Sequence, residues 1–264
     1  MQWEFLTDTI SGDSLLLDCR SVENYDTATL TGSVGVSLVK KPFGSGPRSL
    51  SLLSDLIGEI EKLAKGKSDV ICFDEGQGMY ACRMAWLLRS SGLKNVKVYA
   101  KKFQDISPEE IGKGSGSLQP ESKGQVREVN GIVTVGYLQK NLVKVQLLDT
   151  RTPEEYNGVV PRMSNHIEGA LCGRIPGSMN WDWRKLYGKD GYLREKLSII
   201  GEIRKIGLIQ ERPTVIYDYN GARSCTTALV LSSCGYKHVS VYLGSWMEWQ
   251  KTDLPKQNFR TWRR

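Results

Sequence analysis

Thr214-Val215-Ile216-Tyr217-Asp218 is a short apolar run closed by an acid, and it leads through Tyr219-Asn220-Gly221-Ala222-Arg223-Ser224 into a helical pattern from Cys225 to Leu231. The same succession occurs earlier, where Val70-Ile71-Cys72-Phe73-Asp74 precedes Cys82 to Leu88. Continuous apolar runs of this length, bounded by turn residues, are the mark of buried parallel strands. A glycine ends each helical pattern, Gly92 and Gly235, and a β-rich run follows, Val96 to Tyr99 and Val239 to Tyr242. Strand, helix and strand in this order form a βαβ unit, which implies a parallel sheet with helices on its faces.

Working outward, Leu15-Leu16-Leu17-Asp18-Cys19-Arg20-Ser21 with Tyr25 is repeated as Gln146-Leu147-Leu148-Asp149-Thr150-Arg151-Thr152 with Tyr156. Each half is therefore predicted to be an α/β domain, a small parallel sheet flanked by helices. The stretch 113–127 is rich in Gly and Ser and has no apolar periodicity, which reads as a flexible connection. The expected division is 1–112 for the first domain, 113–127 for the linker and 128–264 for the second.

The totals fit a soluble globular protein, with 40% hydrophobic and 25% charged residues in 264. No apolar run approaches the roughly 20 residues of a membrane span, and the opening MQWEFLTDTI has neither the basic flank nor the apolar stretch of a secretory signal. A cytoplasmic location and no membrane contact are expected. The six cysteines form no CxxC pair and do not cluster with the two histidines, so neither a metal site nor a cofactor is expected. The net charge of +7 is uneven: residues 1–130 carry 16 Lys/Arg against 17 Asp/Glu, and residues 131–264 carry 20 against 12. A basic half of this kind suits an anionic small ligand, an acidic protein partner or RNA, or is a solvated surface.

The second half resembles the carboxy-terminal domain of rhodaneses, the thiosulfate and 3-mercaptopyruvate sulfurtransferases, through Leu148-Asp149-Thr150-Arg151, Glu155-Tyr156, Gly173-Arg174-Ile175-Pro176-Gly177-Ser178-Met179-Asn180, Tyr242 and Gly244-Ser245-Trp246-Met247-Glu248-Trp249. The first half is similar to the inactive amino-terminal domain of that family, through Phe73-Asp74-Glu75 and Gly78-Met79-Tyr80-Ala81-Cys82-Arg83. The resemblance implies two tandem rhodanese-like domains. It also implies an active loop of the form Cys-x-x-Gly-x-Arg, in which a thiolate takes a sulfur atom from a small anionic donor, holds it as a persulfide and passes it to cyanide or a thiol.

Here the loop runs Asp218-Tyr219-Asn220-Gly221-Ala222-Arg223-Ser224, so aspartate stands at the nucleophile position. A carboxylate can occupy an anion cradle but cannot carry a persulfide sulfur. The expectation is a catalytically impaired member, a pseudoenzyme, with a binding or regulatory role. The rival expectation keeps thiosulfate sulfurtransferase activity with Cys225 as the thiol, although its counterpart Cys82 favours a buried packing role. Arg223 is expected either to meet an incoming anion or to pair with Asp218 or Asp149. Arg174 and Arg162 are candidates for gripping a sulfur donor, and His166 is read as a surface residue. Trp246 and Trp249 are expected as core and interface anchors between the domains.

Overall fold

The computed structural model describes residues 3–36, 44–76, 78–119, 121, 129–159 and 173–257. The chain divides into two compact units, Met1–Ile132 and Val133–Arg264.

The first unit contains β1 (Leu6–Thr7), β2 (Leu15–Asp18), α1 (Val22–Thr27), β3 (Thr29–Leu30), β4 (Val34–Gly35), α2 (Pro47–Leu63), β5 (Val70–Phe73), α3 (Met79–Ser90), β6 (Val96–Tyr99) and β7 (Ile111–Gly112). Its main sheet has the order β1-β6-β5-β2-β4 with every pairing parallel. The central strand β5 is buried along its whole length, as expected of a parallel strand covered on both faces. A small antiparallel pair, β3 with β7, closes one side.

The second unit repeats the plan with β8 (Ile132–Val133), α4 (Val135–Asn141), β9 (Gln146–Asp149), α5 (Pro153–Asn157), β10 (Met179–Asn180), α6 (Lys196–Lys205), β11 (Thr214–Tyr217), α7 (Ala222–Ser233), β12 (Val239–Tyr242) and α8 (Ser245–Trp249). The sheet order is β10-β9-β11-β12-β8, and β10, β9, β11 and β12 pair in parallel. The expected α/β class and the two parallel sheets are thus present. Trp246 and Trp249 are fully buried in the core of this unit with Leu147, Ile175, Val215 and Tyr217. No helix among the described residues is long and apolar enough to cross a membrane.

Local chemistry sets the helix ends that matter for the site. Thr152 accepts from the Glu155 amide while the Glu155 carboxylate accepts from the Thr152 amide, a reciprocal cap that starts α5, with Pro153 in the first turn. Both α3 and α7 begin after a left-handed glycine, Gly78 at φ 72° and Gly221 at φ 83°. At Gly221 a side chain would also meet the Leu243 carbonyl oxygen at 2.7 Å, so backbone conformation and space both require glycine.

The stretch expected as a free linker is fastened to the first unit through its first half. Gly32 donates to the Lys113 carbonyl at 2.8 Å, Gly35 to the Gly116 carbonyl at 2.9 Å, and Leu118 to the Gly35 carbonyl at 2.9 Å. The Tyr25 hydroxyl donates to the Gly116 carbonyl at 2.8 Å and accepts from the Gly116 amide at 3.0 Å. Glycine and serine here serve close approach to Tyr25: a Cβ on Gly114 would fall 2.0 Å from its hydroxyl. Residues 122–128 lie outside the described part of the chain.

Candidate functional site

Parallel strands place their carboxyl ends, and the loops that leave them, at one end of the sheet, where ligand sites of open α/β folds form. In the second unit that end holds the 218–224 loop between β11 and α7. The Asp218 carboxylate is fully buried. Its Oδ1 accepts from the Asn220 amide at 2.6 Å and the Gly221 amide at 2.9 Å, and its Oδ2 accepts from the Ser224 amide at 2.7 Å. These are the short contacts of hydrogen bonds to an ionised acceptor. Burial alone would raise the Asp218 pKa, but the Arg223 charge and the Ser224 and Asn220 amides outweigh it and hold the carboxyl below its ordinary range. A successive set of backbone N–H groups at a helix start is a nest for negative charge, and Asp218 fills it.

The nest is anchored from beneath. The Asp218 amide donates to Ser245 Oγ at 3.1 Å, and that hydroxyl donates to the Tyr242 carbonyl at 2.8 Å. The Trp246 and Met247 amides donate to the Asp218 and Tyr219 carbonyls, each at 2.9 Å. Ser245 reaches this position at φ 51°, in the left-handed region.

Arg223 is not paired with Asp149, nor by direct hydrogen bond with Asp218. Its two terminal nitrogens donate to the Glu155 carboxylate at 2.9 and 3.1 Å, a bidentate fork between α7 and α5. Burial works against both charges of this pair, yet the Arg223 hydrogen bonds and charge bring Glu155 below its usual range, and Glu155 raises Arg223. Asp149 is instead held by Arg151, with contacts of 3.0 Å and 2.6 Å, and Arg151 also donates to the Gly173 carbonyl at 2.8 Å and lies over the Trp246 ring. The first unit repeats this device with Asp18 and Arg20, so the Asp-x-Arg pairs brace strand ends in both units.

Tyr219, Ala222 and Ser224 are buried in the loop, and Asn220 is half-buried. Cys225 Sγ is fully buried and donates to the Gly221 carbonyl at 3.1 Å. The Arg174 guanidinium lies 4.4 Å from the centre of the Tyr156 ring and donates to the Tyr156 carbonyl at 3.4 Å. Arg162, His166 and Cys172 lie outside the described residues. Among the described residues no group of acids, cysteines and histidines could hold a metal ion.

The first unit holds its own acid in the same way. Asp74 Oδ1 accepts from the Gly76 and Gly78 amides at 2.9 and 3.0 Å, and Oδ2 from the Tyr80 and Ala81 amides at 3.0 and 3.1 Å. Two residues escaped the sequence reading. Glu155 carried a signal, the Thr152-x-x-Glu155 spacing of a capping box, but nothing in that spacing discloses that the carboxylate also receives Arg223. Ser245 carried none, because its role depends on a backbone turn.

Two α/β units, each closing a central parallel strand with an anion in an amide nest at a helix start, define a duplicated protein whose second nest has the form of a nucleophile loop. The rhodanese-like domain family matches residues 4–108 and 134–252, and the chain belongs to it. It is 24% identical to a sulfur carrier protein of Thermus thermophilus, covering 85% of this chain and 83% of the relative. It is likewise 24% identical to the thiosulfate sulfurtransferase of Azotobacter vinelandii, over 89% and 87%. The 3-mercaptopyruvate sulfurtransferase of Mus musculus is 27% identical over 71% of this chain and 64% of its own. Among solved structures, a probable thiosulfate sulfurtransferase superposes with a TM-score of 0.66 at 26% identity, over 94% of this chain and 99% of the other.

Proposed function

We propose that this chain is a rhodanese-family sulfurtransferase scaffold whose second nest is occupied by a carboxylate, so that persulfide transfer from thiosulfate or 3-mercaptopyruvate is lost and the protein acts as a binding or regulatory module. The observation that carries this reading is the Asp218 carboxylate itself, buried and accepting three loop amides where the family mechanism needs a thiolate. A persulfide forms when a thiolate attacks the outer sulfur of thiosulfate and sulfite departs, or attacks the thiol sulfur of 3-mercaptopyruvate and its C–S bond breaks to release pyruvate. Carboxylate oxygen does not perform this exchange. Arg223, which would otherwise meet an anionic donor, is held by Glu155. A cytoplasmic setting with no cofactor suits this reading.

Incubation of the protein with thiosulfate and cyanide is expected to give no thiocyanate above a protein-free blank. Turnover at an ordinary enzymic rate would end the proposal. The second reading, sulfur transfer to a thiol or cyanide through Cys225, has its thiol in the same unit, but the sulfur is buried and turned to Gly221. Mass spectrometry after donor treatment separates the two: one added sulfur on the Cys225 peptide, abolished by Cys225→Ser, would favour the second, and an unmodified peptide favours the first.

A further inference from the structure

Three cations of the second unit lead into the end of its sheet opposite the nest. Pairing of β9, β11 and β12 sets Gln146, Thr214 and Val239 side by side. Two residues before each stands an exposed cation: Lys144, Arg212 and Lys237. The ladder runs one residue further back, through the Gln146 amide to the Pro213 carbonyl and the Thr214 amide to the His238 carbonyl, both at 2.8 Å. The three cations therefore enter their strands at one level. Neighbouring strands lie about 4.8 Å apart, so the three cations lead as a row into the amino-terminal edge of the sheet, opposite the Asp218 end, with the exposed acid Glu211 just before Arg212. None of the three joins an ion pair among the described residues.

The duplication supplies an internal control. In the first unit Leu15, Val70 and Val96 stand side by side, and the residues two positions earlier are Asp13, Ser68 and Lys94. There Ser68 Oγ donates to Asp13 Oδ1 at 2.7 Å, and Ser11 Oγ donates to the same oxygen at 2.9 Å. That row is balanced in charge and bonded within itself, so the fold does not call for cations at this edge. Like charges at neighbouring strand positions repel, and an anionic partner would convert that repulsion into attraction.

Aliphatic surface adjoins the row. Val143 is 90% exposed and Ile209 46% exposed. Ile209 is held against the start of β9 by paired hydrogen bonds of its backbone with the Gln146 side chain, each 2.8 Å. The aromatic residue within these lead-in segments, Tyr236, is buried, so the edge offers no base-stacking platform of the kind that single-stranded nucleic acid uses.

We propose that this edge docks an acidic protein segment, with carboxylates along Lys144, Arg212 and Lys237 and an aliphatic side chain against Val143 and Ile209. It stands independently of the chemistry at Asp218. The probe is a fluorescein-labelled peptide of alternating glutamate and leucine, titrated with the full chain and followed by anisotropy at two salt concentrations. Saturable binding that weakens with salt is expected. The triple variant Lys144→Glu, Arg212→Glu, Lys237→Glu should lose at least about tenfold in affinity, and the milder Lys144→Gln, Arg212→Gln, Lys237→Gln should also weaken it. No binding by the unaltered chain, undiminished binding by both triple variants, or tighter binding to oligothymidylate or to phosphatidylserine vesicles would overturn the proposal.

Discussion

Asp218→Cys tests the nest directly. The substitution removes a carboxylate that accepts three amide hydrogen bonds and places a single sulfur there. Hydrogen bonds to a charged group each contribute about 1.5–3 kcal/mol, and a thiolate regains part of that sum, so the variant should be about 2–4 kcal/mol less stable than its parent near neutral pH. The amides and the neighbouring Arg223 charge, which hold Asp218 low, should keep the introduced sulfur as a thiolate. Cysteines at helix starts or beside cations titrate at about 3.5–7.5, against about 8.5 for the free thiol. Each unit of that displacement corresponds to about 1.4 kcal/mol.

The sign of the pH dependence follows. A pKa lowered on folding stabilises above the unfolded value, and the contribution is lost as pH falls through the folded value. The contribution of the new thiolate is thus fully present above about pH 8.5 and fades as pH falls through its depressed value. The parent, whose Asp218 lies below the carboxylate range, should lose its own contribution only in acid. Ultraviolet thiolate absorbance of variant minus parent, with urea denaturation at alkaline and mildly acidic pH, measures both. An introduced cysteine that titrates like a free thiol, with equal stability loss at both pH values, would refute the view that this loop stabilises an anion.

Glu155→Gln should cost about 3–5 kcal/mol in urea denaturation, because it leaves Arg223 without its carboxylate in a largely buried place. Since Glu155 is held below its usual range, the parent's advantage over this variant should be present above about pH 4.3 and vanish as pH falls through the folded value. Gly221→Ala should lower stability by about 2 kcal/mol or more, from positive φ and from contact with the Leu243 carbonyl. A thermal midpoint unchanged from the parent would refute that reading.

Much of the fold was legible because duplication makes each half vouch for the other. The apolar runs ending in Asp74 and Asp218 became the central strands, and the glycines Gly78 and Gly221 became the left-handed starts of their helices. What stayed hidden were partnerships between elements distant in sequence. Arg223 was weighed against Asp218 and Asp149, and only the packing of α5 against the start of α7 selects Glu155. The stacking of Arg174 on Tyr156 is likewise a contact that no spacing in the sequence discloses. The 113–118 stretch read as free because glycine and serine carry no apolar period, yet small residues are what allow backbone to lie against Tyr25.

The two nests together say what the loop requires. Asp74 and Asp218 sit in loops of different length, since Gly78 stands four positions after Asp74 and Gly221 three positions after Asp218. Both nevertheless collect the amides of a helix start on one carboxylate. Amides gathered in that way and shut from water are costly unless an acceptor faces them, and a negative acceptor answers the helix dipole as well. An anion at the end of the central strand is thus a condition of the local fold, met in the first unit without any sulfur chemistry. A thiolate at this position would satisfy the same condition and gain its reactivity as a by-product. Aspartate satisfies it with a carboxylate, and the second unit keeps its loop, its glycine and its arginine around that group.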